Sequence, residues 1–298
     1  MKSSTFLTVC IILFSFSISC SSDDSANATD DDASASSTNL IIKLNVDPTQ
    51  PRLGNTGQPT PLPAGHAGQD PSFNRISAHY LELSPSANTL LGQGEILYNA
   101  PETQAGGSSA IDFDQATVVQ PGAVFLTIPI NEIAAGNYEW VRLSLSYQNY
   151  DIDFSFNGTP LTGTVASFVG FDTYLQSYTI KNESVTVNEN RRQGYWGFET
   201  NGIVQTGLAP EGATTVPNPL FDSSPIPAGS CVVTGKFASN LVITGNETED
   251  ITVTLSLSTN KSFEWIDTNG NNNWDVTTSG AESIVDMGLR GLVPSHNN

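Results

Sequence analysis

Basic residues are scarce in this chain: 11 Lys and Arg stand against 30 Asp and Glu, giving a formal net charge of −19. A protein this negative repels phosphate backbones, so we expect no nucleic-acid partner. Charged residues of both signs make up only 14% of the chain, so the surface must consist largely of uncharged polar residues. Together with 17 Pro and 25 Gly, this composition is typical of an exported, β-rich protein.

Cysteine is also scarce, with three residues in 298. Cys10 lies inside the apolar N-terminal run, Cys20 ends it, and Cys231 is the one cysteine in the remaining sequence. A lone cysteine excludes an internal disulfide framework. In the strand-like Cys231-Val232-Val233 we predict a buried small hydrophobe rather than a catalytic nucleophile.

The chain has no hydrophobic run of membrane-spanning length. The longest apolar stretch extends from Phe6 to Phe16, about eleven residues, and a spanning helix needs about 20. Lys2 precedes this stretch and small residues lead from it to Cys20. This pattern predicts a signal peptide at residues 1–19.

The end of the signal peptide carries a more specific pattern. Ser17-Ile18-Ser19-Cys20 resembles a bacterial lipobox, and Ser21-Ser22-Asp23-Asp24 resembles the acidic export signal of Bacteroidota surface lipoproteins. The resemblance implies that Cys20 becomes the acylated N-terminus, with chains such as palmitate, at the outer membrane and facing the exterior. Two or three acyl chains anchor stably, whereas one does not. The alternative is an ordinary secretory signal with a coincidental cysteine.

Residues 21–38 contain only Ser, Ala, Asn, Thr and Asp. Such a segment cannot bury apolar surface, so we expect residues 20–38 to be the lipidated cysteine and a disordered acidic tether. Its typical reach would be about 25 Å. Residues 39–298 then form the folded body.

The body shows apolar alternation of period two in many short segments, separated by turn-rich stretches. In the segment from Tyr138 to Phe154, Val141, Leu143, Leu145 and Tyr147 define one face, and the apolar phase flips after Asn149. A flip of phase predicts a bulge or a strand break near Gln148-Asn149. Leu255-Ser-Leu-Ser258 repeats the pattern of Leu143-Ser-Leu-Ser146 late in the chain.

These segments predict an all-β fold, an antiparallel β-sandwich with long Pro/Gly-rich loops at 47–74 and 207–229. One elaborated sandwich is preferred over two smaller ones, because these loops lack the repetitive composition of linkers. Strands from the first and last parts of the body would pair in one sheet.

A candidate metal site lies near the C-terminus. The segment from Asp267 to Asp275 resembles the first nine positions of a calcium loop, in which alternate residues supply oxygen ligands. The resemblance implies a structural Ca²⁺ held by Asp267, Asn269, Asn271, Asn273 and Asp275. Thr278 stands where a bidentate Glu is expected, and Glu282 lies four residues further on. The alternative is an Asn/Gly hairpin without an ion.

A second group of potential metal ligands is His66, Asp70, His79 and Glu82, beside the 47–74 loop. These side chains are chemically suitable for a transition metal such as copper. However, His79 and Glu82 are an odd number of residues apart on a strand and would face opposite ways. The order of long loop, Tyr-containing strand and the strand at Tyr138 faintly resembles copper-binding β-sandwich proteins associated with methanobactin uptake, which would make His66 and His79 metal ligands.

Aromatic residues suggest a third kind of site. Tyr195 and Trp196, with Tyr150, could stack on sugar rings, as in lipoproteins that bind glycans. The alternative is that Trp196 and Phe198 belong to the core, with Tyr195 on the opposite strand face.

No nucleophile-elbow, zinc-protease or P-loop motif occurs, and the pairs Asp112/Asp114 and Asp151/Asp153 lie too close along the chain for a typical glycosidase dyad. We therefore predict a non-catalytic binding or structural module with a glycan, a metal (copper or calcium) or an outer-membrane protein as partner. A glycoside-active enzyme is the remaining alternative.

Overall fold

Period-two alternation forms strands through most of the body. The computed structural model describes residues 38–54, 57–209 and 231–298, which lie within one compact unit from Ser37 to Asn298. The predicted signal peptide, Cys20 and the tether up to residue 37 lie outside the described residues, as does most of the predicted loop 207–229. No helix in the described ranges is both long and apolar enough to cross a membrane.

The strands within these ranges are β1 (Asn39–Asp47), β2 (His66–Gln69), β3 (Ser72–Ser84), β4 (Glu95–Asn99), β5 (Glu102–Thr103), β6 (Ala110–Asp112), β7 (Val118–Val119), β8 (Val124–Pro129), β9 (Gly136–Phe156), β10 (Thr159–Phe168), β11 (Asp172–Thr179), β12 (Ser184–Arg192), β13 (Tyr195–Thr200), β14 (Ile203–Leu208), β15 (Cys231–Ile243), β16 (Ile251–Ser258), β17 (Phe263–Ile266), β18 (Asp275–Thr277), β19 (Gly280–Ala281), β20 (Ile284–Met287) and β21 (Arg290–His296). Two 3₁₀ turns cover Phe113–Gln115 and Ile130–Glu132.

The 21-residue strand β9 is the centre of the largest sheet. It pairs with β10 and β15 along one edge and with β3 and β18 along the other. The predicted phase change is a bulge and not a break: the register with β3 shifts where Ala78 faces Leu145 and Ser77 faces Tyr147. The bulge therefore lies at Ser146, before the predicted Gln148-Asn149. Tyr147 points away from Leu145 and joins a different cluster.

The main core lies between this sheet and a four-stranded sheet of order β21-β16-β1-β8. Leu143 and Leu145 of β9 pack there with Leu255 and Leu257 of β16, so the two similar segments share one core. β1 pairs in parallel with β16, more than 200 residues later. The predicted pairing of early and late strands is thus confirmed.

A second core forms where the later part of β9 meets the small sheet β2-β17-β20. Ile152 and Phe154 of β9 pack against Phe263 and Trp265 of β17, with Trp274 beside them.

The opposite face of β9 is covered as well. The sheet β12-β11-β6-β5 packs over it through an aromatic cluster that includes Tyr147, Phe168 and Tyr178. The alternate residues Arg142, Ser144 and Ser146 are also buried, with Arg142 donating to Thr89 O in the β3–β4 loop, although alternation is typical of a strand with one solvent face. The fold is all-β and sandwich-like, as predicted, with mostly antiparallel sheets.

Candidate functional site

An open cleft of about 740 Å³ lies between the segment that follows β17 and the turn that joins β9 to β10. Its lining is mainly polar, and Asn157 and Ser155 come from the β9–β10 side. The other side includes five of the six predicted calcium ligands: Asn269, Asn271, Asn273, Asp275 and Glu282. The cleft therefore coincides with the predicted calcium loop.

Backbone hydrogen bonds fix the base of the loop. The Ile266 N–H donates to Ser283 O at 2.9 Å, and the Asp267 N–H donates to Gly65 O at 3.0 Å. Within the loop, Gly270 (φ 74°) and Asn272 (φ 60°) are left-handed. Asn is one of the few residues other than Gly that tolerate this conformation, so Asn272 can replace the glycine that calcium loops usually have there.

Asp267 closes the first half of the loop. Its Oδ1 accepts the Gly270 N–H at 2.8 Å, and its Oδ2 accepts the Asn272 N–H at 3.0 Å. These bonds turn the chain tightly around the carboxylate and direct the next side chains into the cleft.

Glu282 reaches the loop although its sequence spacing is longer than the calcium pattern requires. The short hairpin β18–β19 folds residues 275–281 back, and the Glu282 N–H donates to Asp275 O at 2.9 Å. Oε1 of Glu282 accepts the N–H and the hydroxyl of Thr268, both at 2.7 Å, and Oε2 accepts the Asp275 N–H at 3.1 Å. Asp267, Asp275 and Glu282 therefore belong to one hydrogen-bonded loop.

Asp275 accepts hydrogen bonds from two asparagine amides. The Nδ2 atoms of Asn269 and Asn271 donate to its Oδ2 at 2.7 and 2.8 Å. These two bonds hold the pKa of Asp275 below its ordinary value. The Oδ1 atoms of the same asparagines accept the backbone N–H groups of Asn271 and Asn273. The loop is thus closed by amide donors placed around a carboxylate.

Chemically, this set of donors fits Ca²⁺, because carboxylate, amide and backbone oxygens are the ligands that calcium takes in proteins. In the arrangement seen, however, Asn269 and Asn271 present nitrogen and not oxygen to Asp275. A cation beside Asp275 would require both amides to rotate. No group of three or more His, Cys, Asp or Glu side chains forms a metal-binding arrangement within the part of the chain that the structure describes.

His66 lies elsewhere, in a cluster of charged residues between β2, β17 and the β20–β21 turn. Its Nδ1 is 2.5 Å from Oε1 of Glu264, which is 2% exposed. Arg52 forms an ion pair with Glu264, and Arg290 pairs with both Glu264 and Asp286. Burial raises the pKa of Asp286 to about 6, against the opposing effect of Arg290.

His79 is buried in β3, where its Nε2 lies 3.1 Å from Glu102 Oε1 and its ring lies against Phe171. Burial lowers the pKa of His79, although Glu102 opposes this. Asp70 accepts the Lys261 N–H at 2.6 Å, and the buried Glu82 accepts the N–H groups of Gly92 and Gly94. The structure does not bring the four predicted ligands together, because each has separate partners. His66 thus contacts Glu264, and His79 contacts Glu102 and Phe171, so these contacts do not support a shared copper site, and copper binding by the two histidines stays a prediction.

Two of the three predicted sugar-stacking residues are buried. Tyr150 is 0% exposed and donates its hydroxyl to Met287 O at 2.9 Å, and Tyr195 is 6% exposed within the aromatic cluster. Neither ring offers a face to a sugar, because Tyr150 is enclosed in the second core and Tyr195 in the aromatic cluster. Trp196 is half-buried and packs against the second core with Phe198, as the core alternative predicted.

Other candidate residues have structural partners. Asp151 and Asp153 accept the hydroxyls of Thr164 and Thr162 on β10. Cys231 is buried, and burial raises its thiol pKa to about 12, in agreement with a packing role.

Sequence reasoning missed the cluster of Arg52, Glu264, Asp286 and Arg290. The one available signal was Glu264 between Phe263 and Trp265 in a strand-like segment, because an acid flanked by large apolar residues in a short strand needs a buried partner.

Comparison of the chain with protein-family models, with curated proteins and with solved structures found no match.

Proposed function

We propose that this chain is a lipid-anchored lipoprotein of the outer membrane, facing the cell exterior, with a non-catalytic β-sandwich as a binding or structural module. The observation that carries the proposal is the order of elements along the chain. A lipobox-like Ser17–Cys20 is followed by Asp23-Asp24, a polar stretch, and then β1 at Asn39. A tether of this length would hold the body clear of the lipid headgroups.

The hydrogen-bond and ion-pair partners of the buried carboxylates support a structural or binding role for the body. Glu82 accepts two glycine N–H groups, and Glu199 accepts the N–H groups of residues 181–183. Glu264 is paired with two arginines and His66. Each of these acids thus fixes a loop or a sheet contact.

The anchor is tested by Cys20→Ser in the native host, with Cys10→Ser as the matched control. Cys10 lies within the predicted signal peptide and would be removed, so its replacement should leave the protein in the membrane fraction. Cys20→Ser should release the protein from membranes and abolish palmitate incorporation. Surface exposure is measured by protease treatment of intact cells. Retention of the Cys20→Ser protein in membranes would refute the proposal.

A structural calcium ion is a second proposal for the loop 267–282, favoured by the position of Glu282. Asp267, Asp275 and Glu282, with oxygens of Asn269, Asn271 and Asn273, would hold the ion. It would supply positive charge among three carboxylates and lock the connection between β17 and β20. The backbone bonds at the base of the loop already place these residues together.

Calcium binding is tested by thermal melting of the full chain with added Ca²⁺ and with a chelator. Ca²⁺ should raise the melting temperature, and Glu282→Gln should abolish the increase. Glu249→Gln, an exposed acid distant from the loop in sequence, should retain it. A melting temperature that does not respond to Ca²⁺ in the wild-type protein would end this proposal.

A further inference from the structure

Strand β14 (Ile203–Leu208) ends the largest sheet, and its outer edge has no partner strand among the described residues. Three of its six residues have exposed apolar side chains: Ile203 is 63% exposed, Leu208 38% and Val204 36%. An open edge with such side chains is a template for pairing with another strand.

The other edge strands in the described ranges are protected against such pairing. Strands β2, β5, β7, β19 and β20 have at most four residues. Glu95 in β4, Glu189 in β12, Lys236 in β15 and Arg290 in β21 place a charge on the edge. Strand β8 ends in Pro129 and has a register shift. Among the edge strands of the described ranges, β14 alone has six residues in regular register without a charged residue or a proline. Because natural sheets usually protect their edges, an unprotected one indicates a use.

The hairpin that forms β14 determines which of its backbone groups are free. Asn201 (φ 50°) and Gly202 (φ 76°) form the two-residue turn, and Thr200 pairs with Ile203. Alternation then directs the hydrogen bonds of Ile203, Gln205 and Gly207 toward β13, and the Ala209 N–H continues this series to Gly194 O at 2.8 Å. The N–H and C=O groups of Val204, Thr206 and Leu208 therefore point outward.

We propose that β14 is the surface by which two copies of this chain associate, as antiparallel strands related by a two-fold axis at Thr206. In this register Val204 faces Leu208 of the second copy, and the converse pair forms by symmetry. Thr206 faces Thr206 of the second copy. All outward-pointing backbone groups of Val204, Thr206 and Leu208 then gain partners, in six hydrogen bonds.

The side chains also favour a second copy as the occupant, and the uncharged edge limits the repulsion between two copies. Gly207 lies under the indole of Trp196, since a Cβ there would be 2.5 Å from the ring. In the proposed register Gln205 of the other copy faces Gly207 and covers this ring. With a net charge of −19, two copies repel each other, so an uncharged edge is where they can approach most closely. Pairing of two six-residue strands buries less surface than the about 1,200 Å² that stable complexes bury. The fraction of dimer should therefore depend on the protein concentration.

The test is disulfide cross-linking of the full chain. Opposed Cα atoms of a hydrogen-bonded antiparallel pair lie about 5.5 Å apart, inside the range of about 4.4–6.8 Å for a disulfide. Thr206→Cys should therefore give a dimer of twice the chain mass under mild oxidation, at least several-fold above the control. The control is Thr186→Cys, an exposed threonine on the charged edge strand β12. Equal cross-linking of the two variants would overturn the proposal.

A second variant excludes random collision. Val204→Lys in the Thr206→Cys chain places two positive charges beside the Val204–Leu208 contacts and should reduce the dimer to the control level. The melting temperature should stay the same, because Val204 is exposed. Undiminished dimer in this variant, or a cross-link to a protein of another mass, would overturn pairing with a second copy. The same result is expected with Cys20→Ser, so a failure of the membrane-anchor proposal would be seen separately.

Discussion

Replacement of Glu264 by Gln should cost more stability than any other single charge removal in the loop-to-sheet contacts. The Glu264 carboxylate is 2% exposed and receives Arg52, His66 and Arg290. Arg52 comes from the loop between β1 and β2, and Arg290 from the start of β21. Glu264→Gln therefore leaves two guanidinium groups without their common carboxylate.

Breaking a buried ion pair from one side typically costs about 3–5 kcal/mol. Arg52 retains its bond to Thr60 O at 2.7 Å, and Arg290 retains Asp286, so the lower value of about 3 kcal/mol applies. For a chain of this size, the melting temperature should fall by about 6–12 °C.

The assay is thermal and urea unfolding at neutral pH, with Glu189→Gln as the control. Glu189 pairs with Arg191 at 2.6 Å, but its side chain is 57% exposed. Surface pairs contribute about 0–1 kcal/mol, so the control should be close to the wild-type protein. If the two variants differ by less than about 2 °C, Glu264 does not hold the cluster together in the way described.

Three further substitutions test other parts of the structure. Asp286→Asn tests the pH dependence of stability. Burial is the main cause that raises the pKa of Asp286 from 3.8 to about 6. The stability that the protonated Asp286 carboxyl contributes is therefore fully present below pH 3.8 and is lost as the pH rises through 6. The variant should therefore be more stable than the wild-type protein at neutral pH and lose that advantage on acidification, as measured by urea midpoints; a constant difference would contradict this. Gly197→Ala would place a Cβ 2.5 Å from the Tyr178 hydroxyl and should cost about 1–3 kcal/mol in urea unfolding; an unchanged midpoint would mean that Tyr178 can move. Tyr150→Phe leaves Met287 O without its donor and should cost about 1–3 kcal/mol, with no change in any glycan binding measured by calorimetry.

The fold class followed from period-two alternation, because half-buried strands impose that pattern wherever they occur. The sharing of one sheet by early and late strands was expected, but the individual partners, such as β1 with β16, were not, because alternation carries no information about which strand is the partner. Nor could alternation show that both faces of β9 are covered. Ser144 and Ser146 are small enough to be buried between sheets, and Arg142 is accommodated beside the buried Glu82 at 3.6 Å. Tyr147 fits either face, which explains why the bulge was predicted two residues too late.

For the candidate site, the sequence identified the residues whose oxygen atoms could bind a cation, but not the hydrogen bonds that these residues make. The spacing of Asp267, Asn269, Asn271 and Asp275 predicted a calcium loop or, alternatively, an Asn/Gly hairpin without an ion; the chain turns tightly there, and calcium binding stays a prediction. Whether an asparagine presents oxygen or nitrogen depends on its other hydrogen bonds, which are set by the path of the loop. The return of Glu282 depends on the β18–β19 hairpin, whose two-residue ladder has no signal of its own in the sequence.

The shortage of basic residues supports the proposal that the loop 267–282 binds calcium. With 11 Lys and Arg for 30 acids, most carboxylates cannot have a cationic side chain as partner. The buried acids described above are satisfied by backbone N–H groups, as at Glu199, or share the few arginines, as at Glu264. In the loop, Asp275 is satisfied by uncharged donors, the amides of Asn269 and Asn271 and the side chain of Ser155, and it lies at an open cleft. Ions from solution can reach this carboxylate, and amide rotation would exchange two weak donors for a full positive charge. A divalent cation should therefore gain more at this loop than at the buried acids, which already have their partners.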